Sequence, residues 1–512
     1  MTSRVLGVAR ETVLAALFGA GNQMDAFNVA FRIPNLMRDL FAEGAMSAAF
    51  VPAFTRRLAT RPREEAWRLG NQVINAIGAL TVICVVAGWV FAPALARMFA
   101  PKYAAVPGKL ELTALLARIM LPFLTMIAVS VAMMGMLNSL RRFFIPALSP
   151  AMFNVATIFA AFAFTPLMPR VGWPPVAAIA LGTLLGGLGQ ILLQWPLLRR
   201  EGWRYRLEFG WRDEGLREVL LVMAPGTFGL AAVQVNVFVN TWLATSQGTG
   251  AVSWLNYAFR VMYLPIGLFG VSIGTAVLPE ISRHAAVTDI AAMRRTVSSA
   301  LRLMMMLNIP ATIGLIVLAR PVVSLLLERG QFGAADTAAT AAALTFYAPG
   351  LLGYSAVKIA SPSFYALRDS RTPVFASAIA VVTNVLLNLM LIRVLGFRGL
   401  ALGTALASAL NAVLLLWLLR GRLGGLEGRR NARALMSISA ASLAMGVSVW
   451  LVDSWLESLL PGSSTLIKAT RVFVAISAGL VVLTAAARVL GIEEFDEMVR
   501  RISRKPVPAS NA

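Results

Sequence analysis

Long apolar runs, each closed by a short polar connection, recur from one end of the chain to the other. A helix crossing the hydrocarbon core of a bilayer needs about 20 mostly apolar residues and must satisfy its backbone internally, so each run reads as a transmembrane helix. About fourteen are expected, centred near Leu14, Met37, Ala87, Phe123, Thr157, Leu185, Leu230, Pro265, Ile313, Leu351, Val385, Ala407, Leu443 and Leu480. The expected fold class is an all-α polytopic membrane protein.

Composition agrees with the pattern. Of 512 residues, 58% are hydrophobic and 14% charged, against about 25% charged in ordinary soluble domains. Too little polar surface exists to cover such a chain in water, which excludes a string of soluble domains as well as disorder. The net charge of +22 would point to nucleic acid in a soluble chain. In a membrane protein it marks Lys and Arg held in cytoplasmic loops, and no nucleic-acid partner is expected. The single cysteine, Cys84, lies in an apolar run, so no disulfide framework or thiolate metal cluster is available. The single histidine, His284, stands beside Arg283 and reads as a loop residue.

Connections after even-numbered spans are rich in arginine: Arg56, Arg57, Arg61, Arg63 and Arg68, then Arg141 and Arg142, then Arg199, Arg200, Arg204, Arg206, Arg212 and Arg217, and onward to Arg500, Arg501, Arg504 and Lys505 in the tail. The opposite connections hold Lys102, Lys109, Arg170, Arg329, Arg393 and Arg398. By the positive-inside rule both termini are cytoplasmic. Arg4, Arg10 and Glu11 interrupt the first apolar stretch, so no cleavable signal is expected.

The chain also repeats itself. Gly19-Ala20-Gly21, Ala30-Phe31-Arg32, Leu40-Phe41 and Pro52 are echoed by Gly248-Thr249-Gly250, Ala258-Phe259-Arg260, Leu268-Phe269 and Pro279, with an offset of 228 at the arginines. Leu140-Arg141, Pro146 and Asn154 are echoed by Leu367-Arg368, Pro373 and Asn384, with an offset of 227 at the arginines. Two matches at nearly one offset predict two parallel six-helix repeats: an N-terminal lobe over 1–213 and a C-terminal lobe over 214–422. An additional helix pair (423–490) and a cytoplasmic tail (491–512) follow. Duplicated halves of this kind place their binding site at the lobe interface and expose it alternately by rocking.

Arg4, Arg10, Glu11, Asp25, Arg32, Arg38, Asp39 and Glu43 all fall in the first two spans. A charge facing lipid at a helix centre costs about 2.5 to 3.5 kcal/mol on the insertion scale, so these must face water or one another. Asp25, Asn28, Arg32, Asn35, Asp39 and Glu43 follow steps of three or four and share one helical face. Ser253, Asn256, Tyr257 and Arg260 form a shorter seam at the equivalent place in the second half. Pro34 and Pro265 are expected to kink these helices. Arg10, Arg38 and Arg260, with Arg32 nearby, predict an anion site, because guanidinium forks match phosphate or carboxylate bidentately. The competing reading is that Arg10 with Glu11, Arg38 with Asp39, and Arg32 with Glu43 or Asp25 neutralise each other and only hold helices together. Glu11, Arg32 and Asp39 are assigned to gating or helix pairing on that ground. Arg118 and Lys358 are either cavity charges or snorkelling ends. The pairs Asn236/Asn240 and Asn384/Asn388 either offer oxygens to a cation or hydrogen-bond between helices.

The run Ser3-Arg4-Val5-Leu6-Gly7-Val8-Ala9-Arg10-Glu11, then Phe18-Gly19-Ala20-Gly21, Asp25-Ala26-Phe27, Phe31-Arg32-Ile33-Pro34-Asn35, Arg38 and Phe41-Ala42-Glu43-Gly44-Ala45, resembles the MurJ (MviN) lipid II flippases. The likeness continues through Ser253-Trp254, Tyr257, Arg260, Gly274-Thr275, Leu278-Pro279, Lys358 and Thr372-Pro373, and is weakest in the last two spans. It implies the fourteen-helix fold of the multidrug/oligosaccharidyl-lipid/polysaccharide exporters, in the bacterial cytoplasmic (inner) membrane. The implied activity is movement of the undecaprenyl-pyrophosphate-linked peptidoglycan precursor, lipid II, from the cytoplasmic to the periplasmic leaflet. By the same resemblance Arg4, Arg10, Arg38 and Arg260 are the substrate-binding arginines, supported by Asp25, Glu43 and Ser253, and the last helix pair forms a groove for the lipid tail. Some members of the family bind sodium through carboxylates where this chain has Asn240, Asn384 and Asn388. These asparagines are its only sodium-site candidates; no cofactor is expected, and membrane potential is the alternative driver.

The nearest rival function is a sibling exporter of another polyprenyl-linked oligosaccharide. A drug exporter for cations would carry an acidic cavity, and this one is basic. A membrane glycosyltransferase or other enzyme would need a catalytic domain or a cluster of carboxylates or histidines at the membrane edge, and neither is visible. A scaffold among cell-wall synthesis proteins, which are expected partners, would leave the intramembrane arginines unexplained.

Overall fold

The protein is described by a computed structural model covering residues 2–39, 45–210, 212–462 and 464–496, with side chains except those of 2–4, 45, 47, 48 and 224–233. Arg4 as a side chain, Glu43, and the tail arginines lie outside the described residues. Every regular element among the described residues is helical. The chain divides into two compact units, Met1–Asn256 with Arg329–Asp336, and Tyr257–Glu328 with Thr337–Ala512.

The first unit holds α1 (Thr2–Phe18), α2 (Asn22–Arg38), α3 (Ala45–Thr60), α4 (Arg63–Val90), α5 (Ala92–Phe99), α6 (Lys109–Met120), α7 (Phe123–Ser139), α8 (Phe144–Ala163), α9 (Ala177–Arg200), α10 (Glu214–Thr245) and the start of α11 (Ala251–Pro265). Its core is aromatic and sulfur-rich, with Phe50, Phe54, Trp67, Phe123, Met136 and Trp203 buried together. Gly182 and Gly186 let α9 approach the backbone of α8 at Thr157 and Phe153, as small residues do between membrane helices. The connection Arg329–Asp336 also belongs to this unit. Gln331 N donates to the Ala16 carbonyl at 2.9 Å and closes an orphan acceptor in the last turn of α1. Gly330 makes the approach possible: its φ is +59°, and a Cβ would collide with that same carbonyl.

The second unit continues α11 through a π-turn at Ile266–Gly270, directly after Pro265, where the lost backbone donor distorts the helix. It then holds α12 (Val271–Ala286), α13 (Ile290–Val317), α14 (Ala319–Leu327), the rest of α15 (Ala334–Tyr347), α16 (Gly350–Ala366), α17 (Arg371–Leu395), α18 (Phe397–Arg422), α19 (Gly428–Leu459) and α20 (Thr465–Val489). The α19–α20 pair packs on α13 through Met306, Ile309, Ile438, Ala441 and Met445. Ion pairs tie it down at both ends. Buried Arg302 meets Glu427 and Glu494, each at 2.8 Å, and Lys468 meets Glu328 at 3.2 Å.

Ten helices among the described residues are long and apolar enough to cross a membrane. They match the expected spans at Ala87, Phe123, Thr157, Leu185, Pro265, Ile313, Val385, Ala407, Leu443 and Leu480. Ile83 and Trp89 on α4, Phe375 and Met390 on α17, and Phe473 and Val481 on α20 are exposed. Such outward apolar faces exceed what a soluble monomer shows and are accounted for by lipid. The protein is therefore a multi-pass membrane protein.

Several expectations change. The span centred on Met37 is described as helix α2 to Arg38 and again from Ala45 in α3, and residues 40–44 between them lie outside the described residues. His284 is in the last turn of α12 and not in a loop, with Nε2 3.7 Å from Glu280 Oε1. The polar stretch there is the solvated end of an amphipathic helix. Arg118 is held by Trp89, donating to its carbonyl at 3.1 Å and stacking over its ring.

Candidate functional site

The polar seams of α2 and α11 meet. Asp25, wholly buried, accepts from Gly250 N at 2.7 Å, Ser253 N at 3.1 Å and Ser253 Oγ at 2.7 Å. One turn on, Asn28 Nδ2 donates to Ser253 Oγ at 3.1 Å and Asn256 Nδ2 donates to Asn28 Oδ1 at 2.7 Å. Asp25 and Ser253 are 228 residues apart, as are Asn28 and Asn256, the same offset that relates Arg32 to Arg260 in the repeat. The i, i+3 spacing in both helices supplies the geometry, and the duplication supplies the partner.

Sequence reasoning missed the fourth donor. Lys109, placed above among the loop charges, is 3% exposed. Its Nζ lies 2.9 Å from Asp25 Oδ2 and 4.1 Å from the centre of the Tyr103 ring. An isolated buried carboxylate is expensive, and this one is compensated by a cation and three further donors. The available signal is faint: a lysine on the first residue of an apolar run, in a connection that has few other charges. Asp25 and Ser253, expected to bind substrate, here have their hydrogen-bonding capacity engaged by protein.

The arginines sit differently. Arg10 and Glu11 are both 6% exposed and form an ion pair with each other. The Arg10 guanidinium also stacks over Phe153, 5.0 Å from the ring centre, and its Nε has no hydrogen-bond partner. Phe153 lines a cavity of about 330 Å³ whose walls include Arg38, Phe123, Ser130, Ser149 and Gln190. Arg38 reaches Asp39 with Nε at 3.2 Å and Nη2 at 2.8 Å, while Gln234 donates to the other Asp39 oxygen at 3.2 Å. The expected Arg10/Glu11 and Arg38/Asp39 pairings therefore form, and Arg38 also borders a cavity. Arg32 and Arg260 are half-buried on α2 and α11.

The asparagines of the second unit hydrogen-bond between and along helices: Asn388 Nδ2 donates to Asn384 Oδ1 at 3.1 Å and Asn384 Nδ2 to Thr404 Oγ1 at 3.4 Å. Asn240 is half-buried on α10 in the first unit. Among the described residues no group of three or more His, Cys, Asp or Glu is placed to hold a metal.

This architecture defines a polytopic all-α membrane protein. Its fold matches an inward-facing multidrug resistance MATE family transporter of the MOP superfamily with a TM-score of 0.70 at 18% identity, covering 83% of this chain and 96% of that one. Residues 14–470 match the family model described as lipid II flippase MurJ. The probable lipid II flippase MurJ of Vibrio cholerae serotype O1 is 35% identical over 422 residues, 81% of this chain and 80% of that protein. A solved structure titled lipid II flippase MurJ, inward closed conformation, aligns with a TM-score of 0.78 at 25% identity over 95% of this chain and 97% of its own. The chain belongs to the lipid II flippase MurJ family, whose members are transporters and not enzymes.

Proposed function

We propose that this protein moves the undecaprenyl-pyrophosphate-linked peptidoglycan precursor, lipid II, from the cytoplasmic to the periplasmic leaflet of the bacterial inner membrane, with both termini cytoplasmic. The observation that supports the assignment within the family is the Arg38 guanidinium in a cavity wall, with Arg10 stacked on Phe153 of the same wall. Together with Arg260 and Arg4 they are the groups that engage the pyrophosphate, since planar forks bind it bidentately. Asp25 and Ser253 act by holding α2 to α11. The repeats 1–213 and 214–422 move against each other in alternating access. The α19–α20 pair takes the lipid tail. Membrane potential acting on the cationic site, at about 2.3 kcal/mol per charge per 100 mV, supplies the drive. The neutrality of Asn384 and Asn388 supports this driver over a sodium gradient.

The test is accessibility of lipid II at the outer leaflet in cells depleted of their own flippase and complemented with wild type, Arg10→Ala or Arg260→Ala at matched membrane expression. Wild type restores it and both variants fail. Well-expressed wild type that fails to restore it transfers the assignment to another polyprenyl-linked oligosaccharide.

A further inference from the structure

The connection between α9 and α10 carries a charge pattern its surroundings do not share. Residues 203–210 run along α4 in neither helix nor strand, stapled there by side-chain amides. Asn71 Nδ2 donates to the Arg204 carbonyl at 3.0 Å, and Asn75 Nδ2 donates to those of Arg206 and Glu208 at 3.0 and 2.9 Å. Trp203 Nε1 and Tyr205 OH donate back to Asn71 and Asn75, each at 2.9 Å. Trp203 is buried, but Tyr205 is 45% exposed, Leu207 71% and Phe209 52%.

The acids of this connection are occupied by arginines from elsewhere in the unit. Glu201 is 2.8 Å from Arg142, Glu208 is 3.5 Å from Arg68, and Asp213 is 2.9 Å from Arg57. Arg199, Arg200, Arg204, Arg206 and Arg212 are left exposed and without an ion pair among the described residues. Uncompensated guanidiniums thus alternate with exposed apolar side chains. They do so next to Arg200, where a membrane-spanning helix ends, so the segment lies at the bilayer surface.

We propose that residues 199–210 form a strap that docks on anionic phospholipid of the surrounding leaflet, with the arginines on headgroup phosphates and Leu207 at the boundary with the acyl chains. Charge complementarity and position select this occupant: juxtamembrane basic segments bind anionic headgroups, and amphipathic side chains settle at that depth. The strap is separate from the cargo site, so failure of either proposal leaves the other standing.

Hydrogen–deuterium exchange of the full-length protein in nanodiscs tests it, using phosphatidylcholine alone or with about 30% phosphatidylglycerol as the anionic lipid. Exchange in the peptide spanning 203–210 slows several-fold with phosphatidylglycerol, and raising salt to about 0.5 M reverses the effect by screening. Combined R199Q/R200Q/R204Q/R206Q abolishes the lipid dependence. Because the strap is held to α4 by Asn71 and Asn75 and not by these arginines, this variant keeps the wild-type exchange pattern in phosphatidylcholine. R56Q/R61Q, which alters arginines already paired with Glu218 and Glu65, retains the lipid dependence. Equal exchange in the two lipids, or a quadruple variant that still responds to phosphatidylglycerol, overturns the proposal.

Discussion

Two charged regions of the first unit are built on opposite principles. Around Asp25 both carboxylate oxygens are engaged, by Lys109, Gly250 and Ser253. Around Arg10 and Arg38 each guanidinium has an acidic neighbour in sequence, yet Arg38 borders an open cavity and Arg10 has an Nε with no partner. A buried network whose members are all satisfied is rigid and strongly destabilised by loss of one member. A cation that borders a cavity can meet an anion without first breaking the fold. The first region ties α2 to α11, and the second places one guanidinium at a cavity wall.

The comparison is broken most severely at Lys109. Lys109→Met leaves Asp25 buried without its cation and lowers stability by about 3 to 5 kcal/mol, read as a drop in the melting midpoint of the detergent-solubilised protein. Adding Asp25→Asn recovers much of the loss. If Lys109→Met melts like wild type, the two residues are not an energetic pair.

Ser253→Ala removes one donor to Asp25 and the acceptor for Asn28, and costs about 1 to 3 kcal/mol in the same assay. Its transport falls in proportion to folded protein. Arg38→Ala separates the regions most cleanly: its partly exposed pair with Asp39 is worth about 1 kcal/mol or less, while lipid II accessibility at the outer leaflet is lost. Equal damage to folding and transport from both substitutions would erase the distinction between the two regions.

The smallest effect lies outside both regions. Asp213 caps α10, accepting from Gly215 N and Leu216 N. Burial pushes its carboxyl up, but hydrogen bonds from Arg57 and from the amides of Leu216 and Gly215 outweigh that and hold it below the usual range. A carboxylate lowered in the folded state stabilises above its unfolded value and loses that contribution as pH falls through the folded one. Asp213→Ala therefore costs about 1 kcal/mol at neutral pH, and the deficit relative to wild type closes on acidification in pH-dependent melting curves.

The helical spans were largely legible, because a long apolar run in a bilayer has one backbone solution. Within the site, Asp25, Asn28, Ser253 and Asn256 could be placed on two seams from spacing alone. That equivalent residues of the seams bond to each other could not, because periodicity names a face and not what faces it. Lys109 escaped for a related reason: a lysine at a helix start looks the same in sequence whether it points to water or to a buried carboxylate 84 positions away.

By itself the sequence determined the membrane environment, the all-helical class, the matching motifs at an offset of 228 and the residues that carry charge into the apolar runs. These follow from local composition and self-similarity, which survive in a linear string. Only the tertiary structure decided which of those charges are neutralised by long-range partners and which border a cavity. Pairing energy depends on distance and burial, and both arise only when segments far apart in the chain are packed together.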